Sequence, residues 1–549
     1  MNPRFLLTCL ALAALAGCAT PPAGPVAVKV LAINDFHGNL KTPSSGVRLP
    51  DPSQPGRTVT VPAGGAEHLA TAVRELREKN PNHVFVAAGD LIGASPLLSA
   101  LFRDEPTLEA LSLMGLEVSA VGNHEFDKGA DELLRQQRGG CHPTEGCKGP
   151  HPFQGARFKY LAASTVVEAT GQTLLPAYHV KHFQGIPVAF IGLTLKDTPG
   201  IVLPSGVKGL RFEDEASTVN RLVPVLRSQG IEAIVLLIHE GGYAAGGYNG
   251  CDGISGPIVE IVKKLDQAVD VVISGHTHRA YNCRIDGRLV TSGNFYGTMV
   301  TQIDLQLDPT SRDVIRAEAD NVVVRTDRFA KDPAQTELIA MYEKLAVPLA
   351  RRVVGRIAAA LPRETNPAGE SPMGQVIADA QLAATRAVGA QVALMNPGGI
   401  RASLPMPADG LVRYEDLFNV QPFYNNLVTM TLTGAQLRTL LEQQWSGTGS
   451  GGRVMQVSRG FTYTWDASRP AGQRVRADSL RLDGQPLVDD ASVRVTVNGF
   501  MASGGDGFGL LQQGRDRVTG VMDIDALEAF VKANPTLAPG PLDRIRRVN

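Results

Sequence analysis

The sequence carries almost no net charge: 53 Lys plus Arg oppose 54 Asp plus Glu across 549 residues, for a formal charge of -1. That balance argues against a partner held by a broad electrostatic field, whether nucleic acid or an anionic membrane surface. Apolar runs long enough to span a bilayer are missing too. The run in the leader "MNPRFLLTCLALAALAGC" extends only from Phe5 to Leu15, too short for a stable spanning helix. Cysteine is scarce, with six in the chain and no C-x-x-C spacing, which argues against a Cys-only zinc site. No repeat of 20 to 50 residues is apparent, and low-complexity character is confined to "ATPPAGP" and "SGTGSGG" (446–452).

What is present begins with the leader. A basic Arg4, an apolar run and small residues ending at Cys18 read as an export signal. "LAGC" is similar to the bacterial lipobox, which implies that residues 1–18 are a lipoprotein signal segment whose Cys18 is acylated and becomes the mature N-terminus. Residues 19–25 then form a tether, and membrane contact is expected only through that lipid. Ala19 stands where an Asp often retains such lipoproteins, so the expected place is the periplasmic face of the outer membrane. Beyond Cys9 and Cys18, an even set of cysteines remains: Cys141, Cys147, Cys251 and Cys283. In an exported chain these favour disulfides. Three pairings are possible, and Cys141 with Cys147 and Cys251 with Cys283 is the simplest.

Short, continuously apolar runs recur up to about residue 325: "VAVKVLAI" before Asn34, "HVFVAA" before Gly89, "LEVSAV" before Gly122, "AIVLLI" before His239 and "DVVIS" before Gly275. Such runs suit strands buried on both faces, and helical patterns such as 65–79 between them predict an α/β layered sheet. Residues 330–352 read as a helical linker, in one helix or two broken at Pro348. A second, smaller α/β unit follows over 353–549, with a helix at 371–388 and strand-like runs "NLVTMTL" and "SVRVTVNGF".

Polar groups collect where those five strands open into loops: Asp35 and His37, Asp90, Asn123 with His124 and Asp127, His239, then His276 and His278. One histidine after a strand is most often structural. Five segments repeating the pattern are hard to explain as separate helix caps. Imidazoles, carboxylates and an amide together suit first-row divalent ions such as zinc, manganese or cobalt rather than magnesium or calcium. Seven candidate ligands, Asp35, His37, Asp90, Asn123, His239, His276 and His278, fit two ions sharing a carboxylate, a site for hydrolysing phosphate esters. His124 need not be a ligand. It is placed to stabilise charge or protonate a leaving alkoxide, with Asp127 three residues on to orient and charge its ring.

"DFHGN", "GDLIGASP", "GNHEFDKG" and "GHTH" resemble the calcineurin-like metallophosphoesterases, specifically the bacterial 5'-nucleotidase and UDP-sugar hydrolase family. "NPGGIR", "QPFYNNLV" and "NGFMASGGDGF" extend the resemblance into the second half. It implies a four-layer α/β/β/α catalytic domain (26–329), a helical linker (330–352), a substrate-binding domain (353–549) that rotates toward the metals, and a monomer. It further implies Asp35, His37 and His278 on one ion, Asn123, His239 and His276 on the other, Asp90 as the bridge and His124 with Asp127 as the catalytic pair. Phe423 and Phe500 match the rings that clamp a nucleobase, while Asp506 would take ribose hydroxyls, Arg401 a phosphate or carboxylate, and Asn396 a base edge. Two departures stand out. Some relatives have glutamine in place of His278, and relatives often carry arginines near the segment matching "GESPMGQ", where this chain offers only Arg363 upstream. The expected activity is release of phosphate from 5'-nucleotides, extending to UDP-sugars or dinucleotides such as NAD at the pyrophosphate. Its rivals are a 2',3'-cyclic phosphodiesterase with 3'-nucleotidase activity and an inactive nucleotide-binding surface protein.

Overall fold

The computed structural model describes residues 24–549 apart from 52, 55, 56 and 447–451. The leader, Cys18, most of the tether and the centre of the 446–452 loop lie outside the described residues.

Strand β1 (Val26–Ile33) leads through helix α1 (Ala66–Arg77) to β2 (His83–Ala87), then through α2 (Glu105–Leu113) to β3 (Val118–Ala120) and through α3 (Ala130–Arg138) to β4 (Lys159–Leu161). These four strands are parallel neighbours in chain order. The chain then builds a second sheet from β5 (Tyr178–Phe183), β6 (Ile186–Thr194), β7 (Ala233–His239), β8 (Val271–Ser274), β9 (Ala280–Ile285) and β10 (Arg288–Gly293). Helix α4 (Glu215–Ser228) precedes β7, and α5 (Pro257–Lys264) precedes β8. Strands β11 (Met299–Leu307) and β12 (Val314–Val323) return to the first sheet, β11 antiparallel to β1 and β12 antiparallel to β11. The orders are β12-β11-β1-β2-β3-β4 and β9-β10-β8-β7-β6-β5.

Side-chain packing explains why the central strands read as unbroken apolar runs. Val28, Val30, Val84 and Val86 meet Val188, Phe190, Val235 and Leu237 in a core between the two sheets. On the other face of the first sheet, Leu31, Ile33 and Phe85 pack with Leu69, Val73 and Leu76 of α1 and Leu108 of α2. On the outer face of the second, Ile234, Leu236 and Ile238 pack with Val219 and Leu226 of α4 and Ile258 of α5. Both faces of these central strands are therefore dry, and the layers run α/β/β/α.

Helix α6 (Pro333–Ala350) is one unbroken helix. Asp332 caps it by accepting from the N–H groups of Ala334 and Gln335, and Pro348 falls in its last turn, where it forfeits one backbone bond without interrupting the helix. Its stripe of Gln335, Ile339, Tyr342 and Ala346 faces the first sheet's helices, and the Tyr342 hydroxyl donates to Glu109 at 3.0 Å. The second half contains α7 (Pro372–Thr385), β13 (Val392–Met395), β14 (Asn426–Thr433), β15 (Gln456–Val457), β16 (Ser492–Asn498), β17 (Arg515–Met522) and α8 (Asp523–Ala533). Its five-stranded sheet runs β15-β13-β16-β14-β17. Leu97 of the first half is buried in the second half's core beside Leu417 and Phe418, so the two halves touch. Cys141 is bonded to Cys147 and Cys251 to Cys283.

Candidate active site

Five strands, β1, β2, β3, β7 and β8, point their carboxyl ends at one place, and the loops that follow are stitched together by backbone. Asp35 N–H donates to Gly89 O and His37 N–H to Asp90 O, each at 3.0 Å. The two sheets are tied across this end as well. His239 Nδ1 lies 2.7 Å from Ala88 O, and His276 N–H donates to the Asp35 carboxylate at 3.0 and 3.1 Å. Asp35, His37, Asp90, His276 and His278 all have positive φ, between 46° and 68°. For non-glycine residues that conformation is strained, and clustering of such strain marks a site held in place by its surroundings. Gly122 shows how tight the packing is. A Cβ there would lie 2.1 Å from Asp90 Oδ1.

Six of the seven predicted ligands meet in three groups, the third linking the other two through His37 and Asp90. Asp35, His37 and His278 bring ligand atoms within 4.8 Å of one another, as do Asp90, His239 and His276, and Asp90 is also grouped with His37 and His124. His37 Nε2 faces His278 Nε2 at 3.0 Å, while its Nδ1 is turned to Gly93 O at 2.8 Å. With Nδ1 donating to that carbonyl, Nε2 presents a lone pair toward a second imidazole. His239 repeats the arrangement. Its Nε2 is 2.9 Å from Asp90 Oδ2 yet makes no aligned hydrogen bond. Asn123 Oδ1 is likewise buried without a hydrogen-bond partner among the described residues. Buried, unpartnered donor atoms of this kind, converging from nitrogen and oxygen side chains, fit divalent cations.

Electrostatics agree with that fit. Burial pushes the Asp90 carboxyl up, but the imidazoles of His239, His124 and His37 outweigh it and hold Asp90 well below the usual carboxylate range. Asp35 is lowered in the same way, burial being overcome by His278. Burial and the neighbouring His239 depress His276 to about 3, leaving it neutral and able to ligate. Burial lowers His239 too, but Asp90 draws it up to about 10, so a proton competes with a cation for that position.

His124 hangs over this cluster, its backbone N–H donating to Asp90 Oδ1 at 2.9 Å. Its Nδ1 lies 2.8 Å from Asp127 Oδ2. Burial lowers the His124 pKa, but Asp127 and then Asp90 outweigh it and leave it raised. Glu125, quoted within the motif but given no role by sequence reasoning, staples the loops. Its carboxylate accepts from the N–H groups of Gly122 at 2.6 Å, Leu91 at 2.8 Å and Asp90 at 3.0 Å.

The cluster opens into a cavity of about 650 Å³ whose opposite wall comes from the second half. Asn123, His124, Asp127 and His276 line one side, and Asn396, Arg401, Phe423, Phe500 and Asp506 the other. The ring of Phe423 stacks toward His124, centroids 6.1 Å apart and planes inclined by 21°. Asn396 Nδ2 donates to Asp506 Oδ2 at 2.6 Å and accepts on Oδ1 from Asn498 at 2.9 Å. Among the described residues, Arg401 Nε is buried with no hydrogen-bond partner. Arg363 does not point a free guanidinium at the site; it donates to the carbonyl of Arg401 at 2.5 Å and so props that loop. Asn498 and Arg453, the latter donating to Asp506 O at 3.1 Å, also line the cavity. Sequence reading passed over both, although Asn498 stands inside the quoted "NGFMASGGDGF".

Residues 28–280 match the family model described as calcineurin-like phosphoesterase, and residues 353–513 the one described as 5'-nucleotidase, C-terminal domain. Endonuclease YhcR of Bacillus subtilis is 34% identical over 518 residues, covering 94% of this chain but 40% of the relative. Cell wall protein Lmo0130 of Listeria monocytogenes is 31% identical over 522 residues, covering 88% of this chain and 64% of that protein. The chain thus spans less than two thirds of either relative. Among solved structures, the 5'-nucleotidase precursor of Thermus thermophilus superposes with a TM-score of 0.78 at 27% identity, over 95% of this chain and 99% of that one.

Proposed function

This chain belongs to the calcineurin-like phosphoesterases that carry a 5'-nucleotidase C-terminal domain, and on that premise we propose that it hydrolyses 5'-nucleotides to nucleoside and phosphate. The observation that carries the reading is the shared cavity, which puts a His-Asp pair and a metal-type donor cluster opposite two aromatic rings and an unpartnered arginine.

Asp35, His37 and His278 would hold one divalent cation and His239 and His276 a second, with Asp90 shared between them and Asn123 adding its buried Oδ1 to the second set. When bound, such ions generate a nucleophile from water at neutral pH and neutralise phosphoryl oxygens. The chain's own residues supply the rest. Phe423 and Phe500 offer π-faces to a base, Asp506 accepts from ribose hydroxyls, and the Arg401 fork matches a phosphate. His124, with Nδ1 engaged by Asp127, has Nε2 left to give a proton to the departing 5'-oxygen, and its raised pKa keeps that proton available near neutrality.

We read the protein as exported, monomeric and anchored by lipid at Cys18 on the periplasmic face of the outer membrane. Two disulfides support an oxidising compartment. The test is chromatographic product analysis with AMP, 3'-AMP, 2',3'-cyclic AMP, UDP-glucose and NAD. Adenosine and phosphate from AMP are the expected products. Turnover confined to the 3' and cyclic substrates would replace this reading with the phosphodiesterase.

A further inference from the structure

His278 differs from His37 and His239 in how its ring is held. Those two each turn Nδ1 to a backbone carbonyl, of Gly93 at 2.8 Å and of Ala88 at 2.7 Å, and such an outer contact fixes the tautomer and orientation of a ligating imidazole. For His278, only Nε2 has partners among the described residues: His37 Nε2 at 3.0 Å and Asp35 Oδ1 at 3.4 Å. Its side chain is also 27% exposed, whereas those of His37 and His239 are fully buried. Solvent therefore leaves room on one side for the ring to swing away from the cluster.

What holds His278 is a stacked ring. Phe295 lies nearly face to face with the imidazole, centroids 5.1 Å apart and planes 25° from parallel. Tyr296 braces the pair edge-on, its centroid 4.5 Å from Phe295 and 6.0 Å from His278, and it meets His37 at 5.9 Å. The loop that carries both rings, between β10 and β11, is anchored to the segments of the ligands themselves. Tyr296 N–H donates to Asp35 O at 2.8 Å, and Asn294 N–H to the carbonyl of Arg279, the residue after His278, at 3.1 Å. Asn34 Nδ2 reaches both Asn294 O and the Asp35 carboxylate, each at 2.6 Å. Thr298 closes the turn, its N–H and hydroxyl donating to Phe295 O at 3.0 and 2.6 Å. Neither Phe295 nor Tyr296 is among the described residues that line the substrate cavity, so contact with a nucleotide does not account for them.

A flat ring pressed on one face of an imidazole resists the rotation that would carry Nε2 away from Asp35 and His37. We propose that Phe295 is a positioning residue for His278. By stacking, with Tyr296 behind it, Phe295 presets the imidazole as a ligand of the cation held with Asp35 and His37, and so governs affinity at that position and not at the one built on His239 and His276. A ligand already in place loses less freedom when the cation binds. The inference rests on the two-cation reading of the donor cluster.

The experiment is titration calorimetry with Mn²⁺ on metal-stripped protein, comparing wild type with Phe295→Leu, Phe295→Tyr, Tyr296→Leu, His278→Gln and the double variant Phe295→Leu/His278→Gln. Wild type should bind two ions. Phe295→Leu should weaken one of them about 10- to 100-fold, the usual effect of losing an outer contact, and it should be the ion that His278→Gln weakens. The other affinity should hold, which also shows that the variant is folded. Phe295→Tyr keeps the ring and should restore most of the loss, while Tyr296→Leu, which only loosens the brace, should weaken the same ion by less. Beside His278→Gln, adding Phe295→Leu should change little, because the ring it acts through is gone. Unchanged affinities in Phe295→Leu, an equal loss at both positions, or an undiminished effect beside His278→Gln would overturn the positioning role and leave the two-cation reading intact. A wild type that binds fewer than two ions overturns that reading, and this inference with it.

Discussion

Gly122→Ala puts one methyl group where the structure has no room. The added Cβ would sit 2.1 Å from Asp90 Oδ1 and 2.5 Å from Asp90 N, about 1 Å inside ordinary contact. Backbone stitching at Glu125 and the parallel pairing of β2 with β3 hold both segments, so the Asp90 carboxylate must give way. A displacement of about 1 Å at a reacting centre can cost about 100-fold in rate, and loss of ligand geometry typically costs about 10- to 100-fold in metal affinity. Overpacking costs about 1–3 kcal/mol of stability, which leaves most domains folded. The assay is titration calorimetry with Mn²⁺ beside kcat/KM for AMP, with Gly509→Ala as the control because nothing lies within 4 Å of a Cβ there. Undiminished Mn²⁺ affinity and activity in a folded Gly122→Ala protein would refute the placement of Asp90 at the centre of the site.

Three further outcomes follow from the geometry. His124→Ala should lower kcat about 100- to 10,000-fold, Asp127→Asn less, and the double variant no more than His124→Ala, since Asp127 acts through the ring it holds. Phe423→Ala or Phe500→Ala should weaken base binding by about 1–3 kcal/mol, seen as a raised KM for AMP with little change for ribose 5-phosphate. Asp270, which accepts from Ile234 N–H at 2.8 Å, is driven up to about 8 by burial, with Asp313 adding to the rise. Between the ordinary aspartate range and pH 8 the folded state therefore binds more protons than the unfolded one, so this group makes stability fall as pH rises through that window. Asp270→Asn should flatten the decline in urea unfolding between pH 5 and pH 9.

The five strand-end motifs were legible because a central strand of a layered sheet is dry on both faces, which writes a continuous apolar run, and the site begins where that run stops. Alternating strands such as β12, exposed at Ile315, carry no such signature and were invisible. The ligands' residue types announced their chemistry. The supports did not, because Glu125, Asn498 and Arg363 are ordinary polar residues whose roles depend on which backbone groups tertiary packing brings to them. The linker left a choice between one helix and two at Pro348. Position decided it, since a proline in the last turn forfeits one bond near an end that already lacks them.

The central claim is that the donor cluster and the His124–Asp127 pair work on one phosphate. Its most direct test is phosphate release from AMP by the protein lacking residues 1–18, metal-stripped and then supplied with Zn²⁺, Mn²⁺ or Co²⁺, beside His124→Ala. The account predicts negligible turnover when stripped, recovery on adding metal, and collapse in the variant despite full metal loading. Turnover that is indifferent to metal, or a metal-loaded His124→Ala protein as active as wild type, would contradict it.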